Sequence, residues 1–290
     1  MTKRFHIEPT SLCQLGCPLC PTQRFNYERK GIMDFKKFVS LVDDAVSSGY
    51  MLENDEVHLY GYGEPLLNNR LVEMISLLNS YGLKTKINTN GILLDEKKSS
   101  ELSDSGLTKL LLSLDGINEL DYQKYRKNGD FNKIRNNLLK IKAQNKRNYI
   151  LEIQFILFEH NFGKEEEFIQ FGVEMGCDFL VLKKPRVWYK ESCISKANHL
   201  IPNNQVTRNT FGKTCSFGED MGMICFNGNL TICNSDPFCY NVVGNIFNEG
   251  VQIWDSDKFK EKRNIGKHKK TKSCIQCSYD DRYSKKIKLN

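Results

Sequence analysis

Along the first 183 residues the apolar positions alternate between two periods. Short aliphatic and β-branched runs at Phe5–Glu8, Glu56–Tyr60, Leu83–Asn88, Leu107–Leu114, Ile150–Phe158 and Asp178–Lys183 are bounded by Gly, Asn or Asp and read as strands. Between them, Met33–Ser48, Asn69–Tyr81, Asp95–Ser105, Phe131–Asn145 and Lys164–Met175 read as helices. Four of these stop at a glycine (Gly49, Gly82, Gly106, Gly176), the residue that enters the left-handed region without a steric penalty. Strand starts mostly ~25–30 residues apart match the size of a βα unit. The first gap is longer and holds an extra loop, Pro9–Ile32. Six such units predict an α/β fold, a partial (β/α)6 barrel of parallel strands. Its functional loops are expected at the carboxyl ends of the strands.

The pattern changes after residue 183. Residues 184–212, with Pro185, Pro202 and scattered polar positions, read as a linker or lid. Residues 213–290 are rich in Cys and Gly. They carry two short strands (Gly222–Phe226 and Leu230–Cys233, turning at Asn227-Gly228-Asn229), one helix over Val251–Arg263, and a basic tail. A small α+β domain of this kind buries little apolar surface, and a metal cluster is a natural staple for it.

Composition narrows the class. The 290 residues are 40% hydrophobic and 27% charged, which excludes wholesale disorder. No run of ~18 apolar residues is present, and the opening residues lack the apolar core of a secretory signal. A cytoplasmic chain without a membrane span is expected. The net charge of +7 is concentrated at the end: residues 256–290 hold 12 basic and 4 acidic side chains. A solvated tail is the expected reading. With no appended nucleic-acid module in evidence, a nucleic-acid partner is not expected.

The 11 cysteines change the picture most. In a reducing compartment they point to metal or redox chemistry before disulfides. Cys13-x3-Cys17-x2-Cys20 follows the first strand. Structural zinc generally takes four ligands, commonly as paired knuckles, whereas iron–sulfur clusters are held by thiolates. Three thiolates on a cubane leave one iron open to a substrate or cofactor.

That triplet, placed after the first strand of a βα repeat, resembles the radical S-adenosylmethionine superfamily. The resemblance implies a [4Fe-4S] cluster on Cys13, Cys17 and Cys20, with S-adenosylmethionine chelated by the open iron. Reductive cleavage then yields a 5′-deoxyadenosyl radical that abstracts a substrate hydrogen, driven by a flavodoxin- or ferredoxin-type reductant. Further motifs follow in order. Tyr62-Gly63-Glu64-Pro65 is similar to the Gly-Gly-Glu-Pro loop that holds the methionyl amino group, with Tyr62 in place of its first Gly. Asn90 ends the third strand in Asn88-Thr89-Asn90-Gly91. Ser113 and Asp115 resemble the ribose-contacting segment. Arg126 stands where relatives bind the methionyl carboxylate, a task that suits a guanidinium. Leu19 occupies the position beside the adenine.

A second group, Cys215-x12-Gly228-x4-Cys233 followed by Cys274-x2-Cys277, resembles the SPASM extension in its shortened twitch form. The resemblance implies one auxiliary [4Fe-4S] cluster with four thiolate ligands, and zinc is the alternative occupant. Its role is either a staple or electron transfer. Of the remaining cysteines, Cys177 is expected in the core. Cys193, Cys225 and Cys239 are candidates for hydrogen donation or titration near substrate, with packing as the plainer role.

Ile7-Glu8-Pro9-Thr10, the Cys-Pro-x-Cys-Pro loop (Cys17–Pro21) and the twitch-like ending together resemble the compact branch containing the 2-deoxy-scyllo-inosamine dehydrogenases of antibiotic biosynthesis. The implied reaction is oxidation, or epimerisation, at a secondary alcohol carbon of a cyclitol, amino sugar or related small metabolite. Glu159, His160, Lys183, Arg186 and His199 are the candidate bases and substrate contacts on the rim or lid. The main alternative is peptide modification by thioether formation or epimerisation. The expectation against it is that the cysteine motif begins at Cys13 and leaves no room for a leader-binding domain. RNA methylation and a non-catalytic iron–sulfur scaffold rank lower.

Overall fold

The computed structural model describes residues 2–23, 29–185, 200, 222–267 and 284–289. The six expected strands are present: β1 (Arg4–Ile7), β2 (Glu56–Leu59), β3 (Lys84–Thr89), β4 (Lys109–Ser113), β5 (Ile150–Ile156) and β6 (Phe179–Lys183). Each pairs in parallel with the next in sequence. This is the consecutive, right-handed βα order of a partial barrel.

Helices α1 (Phe35–Ser47), α2 (Leu71–Ser80), α3 (Glu96–Asp104), α5 (Phe131–Gln144) and α6 (Glu165–Glu174) cover one face of the sheet. Side-chain oxygens of Asp34, Asp95 and Asp130 accept from the backbone N–H three residues on, which caps α1, α3 and α5. A sixth helix, α4 (Glu119–Tyr125), is capped by Asn118. The sequence reading missed it because it is only about two turns long, too short for a clear apolar period.

Strand alternation sorts the two faces. Phe5, Ile7, Val57, Leu59, Leu151, Ile153 and Phe155 join the helix side chains in one core. The alternate positions His6, Glu8, His58, Ser113, Glu152 and Gln154 are also buried, yet polar. The barrel therefore has an apolar outer seam and a hydrogen-bonding interior.

Past residue 221 the chain returns to the same sheet. β7 (Met223–Ile224) lies parallel to β1, and β8 (Asn229–Thr231) and β9 (Val242–Asn245) extend it antiparallel. Gly228, at φ 87°, makes the expected turn between β7 and β8. α7 (Ile246–Glu249) follows directly on β9. The single helix expected over Val251–Arg263 is two pieces, a 3-10 turn Val251–Asp255 and α8 (Asp257–Lys267). Extended Ser256 (φ −63°, ψ 146°) breaks the helical path, and its hydroxyl accepts from Phe259 N. The basic tail contributes β10 (Ser284–Lys288), antiparallel to β6. There Lys286 pairs with Glu152, which also holds Lys109 at 3.1 Å. No helix among the described residues is long and apolar enough to cross a membrane.

Candidate active site at the barrel mouth

The cysteine loop sits on the carboxyl ends of the strands. Leu15, Cys17 and Leu19 pack with Tyr125, Phe158 and Leu200, and Cys13, Cys20, Ile92 and Ile156 border the same cluster. Gly16 N–H donates to Lys127 O at 2.8 Å, which fastens the loop to the end of α4. Arg126 Nη1 lies 3.9 Å from Cys17 Sγ, and Asn90 Nδ2 lies 3.8 Å from Cys13 Sγ. Cys20 Sγ lies 3.1 Å from Thr22 Oγ1, so each of the three thiols has a polar neighbour, that of Cys17 being cationic. Burial pushes the Cys13 thiol up to about 11 and the Cys17 thiol up to about 12. Only a bound metal would hold such desolvated sulfurs as thiolates. Among the described residues no three His, Cys, Asp or Glu side chains converge as a single metal ion requires. Three thiols carried on one loop, one of them facing the Arg126 guanidinium, are the donor set an iron–sulfur cluster takes, so the residues present fit that group.

The Tyr62–Pro65 turn is pressed against this loop. Glu64 N–H donates to Leu12 O at 2.7 Å. A Cβ on Gly63 would come within 2.7 Å of Leu12 O and closer still to Thr10 O, so only glycine permits the approach. The fully buried Glu64 carboxylate accepts from Thr89 Oγ1 (2.7 Å), Asn90 N (2.7 Å) and Leu66 N (3.1 Å). Burial still raises its pKa. Pro65 opens the 3-10 turn that follows.

Across the mouth, Asp115 adopts φ 63°, and its carboxylate takes the Arg126 fork at 2.7 Å (Nε) and 2.6 Å (Nη2). Ile156 N–H adds a bond of 2.6 Å to the other oxygen. Burial raises the Asp115 pKa against the pull of Arg126. Ser113 Oγ donates to Asn88 Oδ1 at 2.9 Å and accepts from Gln154 Nε2 at 3.3 Å. Leu19 is buried. The expected cofactor set of Leu19, Tyr62, Gly63, Glu64, Pro65, Asn90, Ser113, Asp115 and Arg126 is thus distributed around one mouth.

The expected bases fare differently. Glu159 is exposed, and His160 stacks on Phe158, a member of the cysteine-loop cluster, with the ring centroids 5.7 Å apart and Lys124 and Asp121 beside it. Burial lowers the His160 pKa. Cys177 is in the core, as expected. Cys225 and Cys239 bring their sulfurs to 3.0 Å. Cys233 Sγ accepts from Ser235 N at 3.2 Å. Cys193, Cys215, Cys274, Cys277, Arg186 and His199 lie outside the described residues.

Residues not anticipated from sequence line the interior instead. Buried Glu8 binds Arg29 at 2.6 Å and accepts from Tyr62 N at 3.2 Å, and Arg29 reaches Pro237 O at 2.7 Å. His6, His58 and Tyr60 form a ring cluster, with the two imidazole centroids 4.6 Å apart. The available signal was polar residues at every second position of His6-x-Glu8 and Glu56-x-His58-x-Tyr60, within strands whose alternate positions are apolar.

A parallel partial barrel with three thiols on one loop over the carboxyl ends of its strands defines a class of enzyme that works through a cluster-bound cofactor at the barrel mouth. The chain belongs to the Radical SAM superfamily, whose pattern matches residues 7–172. Membership brings S-adenosylmethionine and a [4Fe-4S] cluster. Among curated proteins the chain is similar to a tungsten-containing aldehyde ferredoxin oxidoreductase cofactor-modifying protein of Pyrococcus furiosus, with 32% identity over 113 residues, 39% of this chain and 31% of the relative. It is also similar to a GTP 3',8-cyclase of Alkaliphilus oremlandii, with 34% identity over 134 residues, 44% of this chain and 39% of the relative. The chain spans well under half the length of these relatives. Among solved structures, BtrN in complex with AdoMet and 2-DOIA superposes with a TM-score of 0.64 at 19% identity, covering 96% of this chain and 94% of that one. anSMEcpe with bound AdoMet gives 0.72 at 18% identity, covering 96% and 85%. Streptococcus suis SuiB bound to S-adenosylmethionine gives 0.68 at 14%, covering 91% and 68%. At these identities the likeness is one of fold.

Proposed function

We propose that this radical SAM enzyme oxidises a secondary alcohol on a cyclitol, amino sugar or similar hydroxyl-rich small molecule. In this reading Cys13, Cys17 and Cys20 hold the [4Fe-4S] cluster, and S-adenosylmethionine bound there supplies the radical that takes a hydrogen atom from the carbinol carbon. Glu64 and the Tyr62–Pro65 turn accept the methionyl ammonium, and Arg126, oriented by Asp115, binds the carboxylate. Asn90, Ser113 and Asp115 face the ribose, and Leu19 packs beside the adenine. Cys215, Cys233, Cys274 and Cys277 hold an auxiliary [4Fe-4S] cluster that receives the substrate electron.

The observation that carries this reading is the polar interior. His6, His58, Tyr60, Asn88 and Gln154 present donors and acceptors in a space that apolar side chains would otherwise fill. Such a surface matches a polyol. The near-full mutual coverage with the 2-DOIA complex supports it. Peptide modification is the second reading, favoured by the similarity to anSMEcpe with a bound peptide, at a TM-score of 0.70.

The test is anaerobic turnover of reconstituted protein with 2-deoxy-scyllo-inosamine and a panel of cyclitols and amino sugars. Oxidation predicts one 5′-deoxyadenosine per ketone. It also predicts loss of ketone in a Cys233→Ala protein that keeps its first cluster. Deuterium transfer to 5′-deoxyadenosine from a peptide, and from no alcohol, would replace this reading by the second.

A further inference from the structure

We infer that Tyr60, His58 and Glu56 form a proton-conducting chain that carries the hydroxyl proton of the substrate out of the barrel interior. The inference rests on the oxidation proposed above and adds the route of the proton. The three residues occupy positions i, i+2 and i+4 from β2 into the residue after it, so they share the interior face. Tyr60 Oη lies 3.1 Å from His58 Nδ1, and His58 Nε2 lies 3.2 Å from Glu56 Oε2. Both spacings are within reach of proton transfer.

The direction follows from the end groups. The His58 hydrogen bond pulls the Glu56 carboxyl down to about 2, so at neutral pH it only accepts. His58 Nε2 must then carry the hydrogen. Burial, reinforced by Lys86 on β3 and Arg4 on β1, lowers the His58 pKa against the pull of Glu56, so the ring is neutral. His6 of β1 packs edge-on against the same ring and is itself held neutral by burial. A neutral ring protonated at Nε2 has a bare Nδ1, which accepts from Tyr60 O–H. The hydrogens thus already point from the mouth towards Glu56, whose side chain is 45% exposed and meets water.

Tyr60 stands where a substrate proton would enter. It follows the carboxyl end of β2, with Gly61 alone between it and the Tyr62–Pro65 turn. Its ring packs on His6, which bonds Asn234, the neighbour of Cys233. The step balances as follows. The carbinol C–H bond breaks homolytically and its hydrogen atom goes to the deoxyadenosyl carbon. The O–H bond breaks heterolytically as C–O becomes C=O, and one electron passes to the auxiliary iron–sulfur cluster. The proton passes to Tyr60 Oη as the Tyr60 proton moves to His58 Nδ1 and the Nε2 proton moves to Glu56.

Two measurements test the chain. Imidazole-15N spectra of the reconstituted protein, with only five histidines to assign, should show His58 neutral and protonated at Nε2 at pH 7. Tyr60→Phe should shift Nδ1 towards an unbonded nitrogen and leave Nε2 protonated. In turnover, Tyr60→Phe and His58→Asn should slow ketone formation at least tenfold while deuterium still reaches 5′-deoxyadenosine. Glu56→Gln, which accepts the His58 hydrogen bond but cannot take the proton, should slow ketone formation likewise and leave His58 protonated at Nε2. A His58 ring that is doubly protonated, or protonated at Nδ1, would overturn the chain, as would wild-type ketone rates in Tyr60→Phe. If the unaltered enzyme yields no ketone from any alcohol, the oxidation reading fails, and the ring spectra still decide whether the chain exists.

Discussion

Tyr62 Oη donates to the backbone carbonyl of Asn234 at 2.6 Å, joining positions 172 residues apart. The residue that departs from the Gly-Gly-Glu-Pro pattern therefore ties the mouth to the Cys233 segment, beside the His6–Asn234 and Arg29–Pro237 contacts. Its backbone N–H serves the other side of the same seam by bonding Glu8.

Removing that hydroxyl should loosen the docking. Tyr62→Phe loses one hydrogen bond, a net loss of about 1 kcal/mol. We expect a small drop in melting temperature and reduced iron in a background lacking Cys13, Cys17 and Cys20, where only the auxiliary cluster can form. Unchanged iron and unchanged melting would show that the bond contributes no docking.

Gly63→Ala should be far more damaging than its size suggests. The added methyl meets two backbone carbonyls, which cannot swing aside as a side-chain end can. Overpacking of this kind costs about 1–3 kcal/mol. Because the carbonyls belong to Thr10 and Leu12, the cysteine loop must shift, and iron incorporation at the first cluster should fall. At Gly49 the same change meets no atom within 4 Å and strains only a φ of 73°. Gly49→Ala should keep full iron content, measured on the two proteins side by side.

Asp115→Asn should uncouple Arg126 from its anchor. Breaking a buried pair by removing one charge costs about 3–5 kcal/mol. Arg126 would then turn to other acceptors near Cys17, and S-adenosylmethionine binding should weaken at least tenfold by equilibrium dialysis. Arg126→Lys should weaken it too, since an ammonium lacks the paired Nε–H and Nη2–H that meet Asp115 Oδ2. Wild-type affinity in either variant would contradict the assigned role.

Acid should destabilise the protein in two stages. Burial holds His6 and His58 below the ordinary 6.5, so the unfolded chain takes up protons that the native state refuses. Stability should decline as pH falls below about 6.5. Glu56 sits at about 2 through its bond to His58. Asp121 is pushed up by burial yet brought to about 2 by Lys164 and Lys124. Depressed carboxylates stabilise above their unfolded pKa, and that contribution is lost as pH falls from about 4.5 towards 2. Chemical denaturation across pH should show the lower stage reduced in Asp121→Asn and the upper stage reduced in His58→Asn.

Much of the site was legible because its signals are local. The cysteine spacing, the Gly-Glu-Pro turn after β2 and the Ser-x-Asp segment after β4 depend on short-range backbone geometry, and the βα rhythm placed them all at one end of the sheet. The longer helices declared themselves by period and, in four of them, by the glycine that ends them. Short α4 did not, and Ser256 broke an otherwise helical pattern. The pairing of Arg126 with Asp115 joins residues eleven apart, whereas those motifs had suggested separate tasks for each.

What the chain alone determined was the class of fold, the cysteine loop and the order of the motifs, since each follows from periodicity or from spacing within one loop. Tertiary structure decided which polar residues meet inside the barrel. His6 with His58, Glu8 with Arg29 and Tyr62 with Asn234 belong to different strands or distant segments. Each strand reports only that a side chain points inward, and only closure of the sheet selects its partner. The same holds for the tail, which reads as a run of lysines until β6 offers an edge and Glu152 a charge for Lys286.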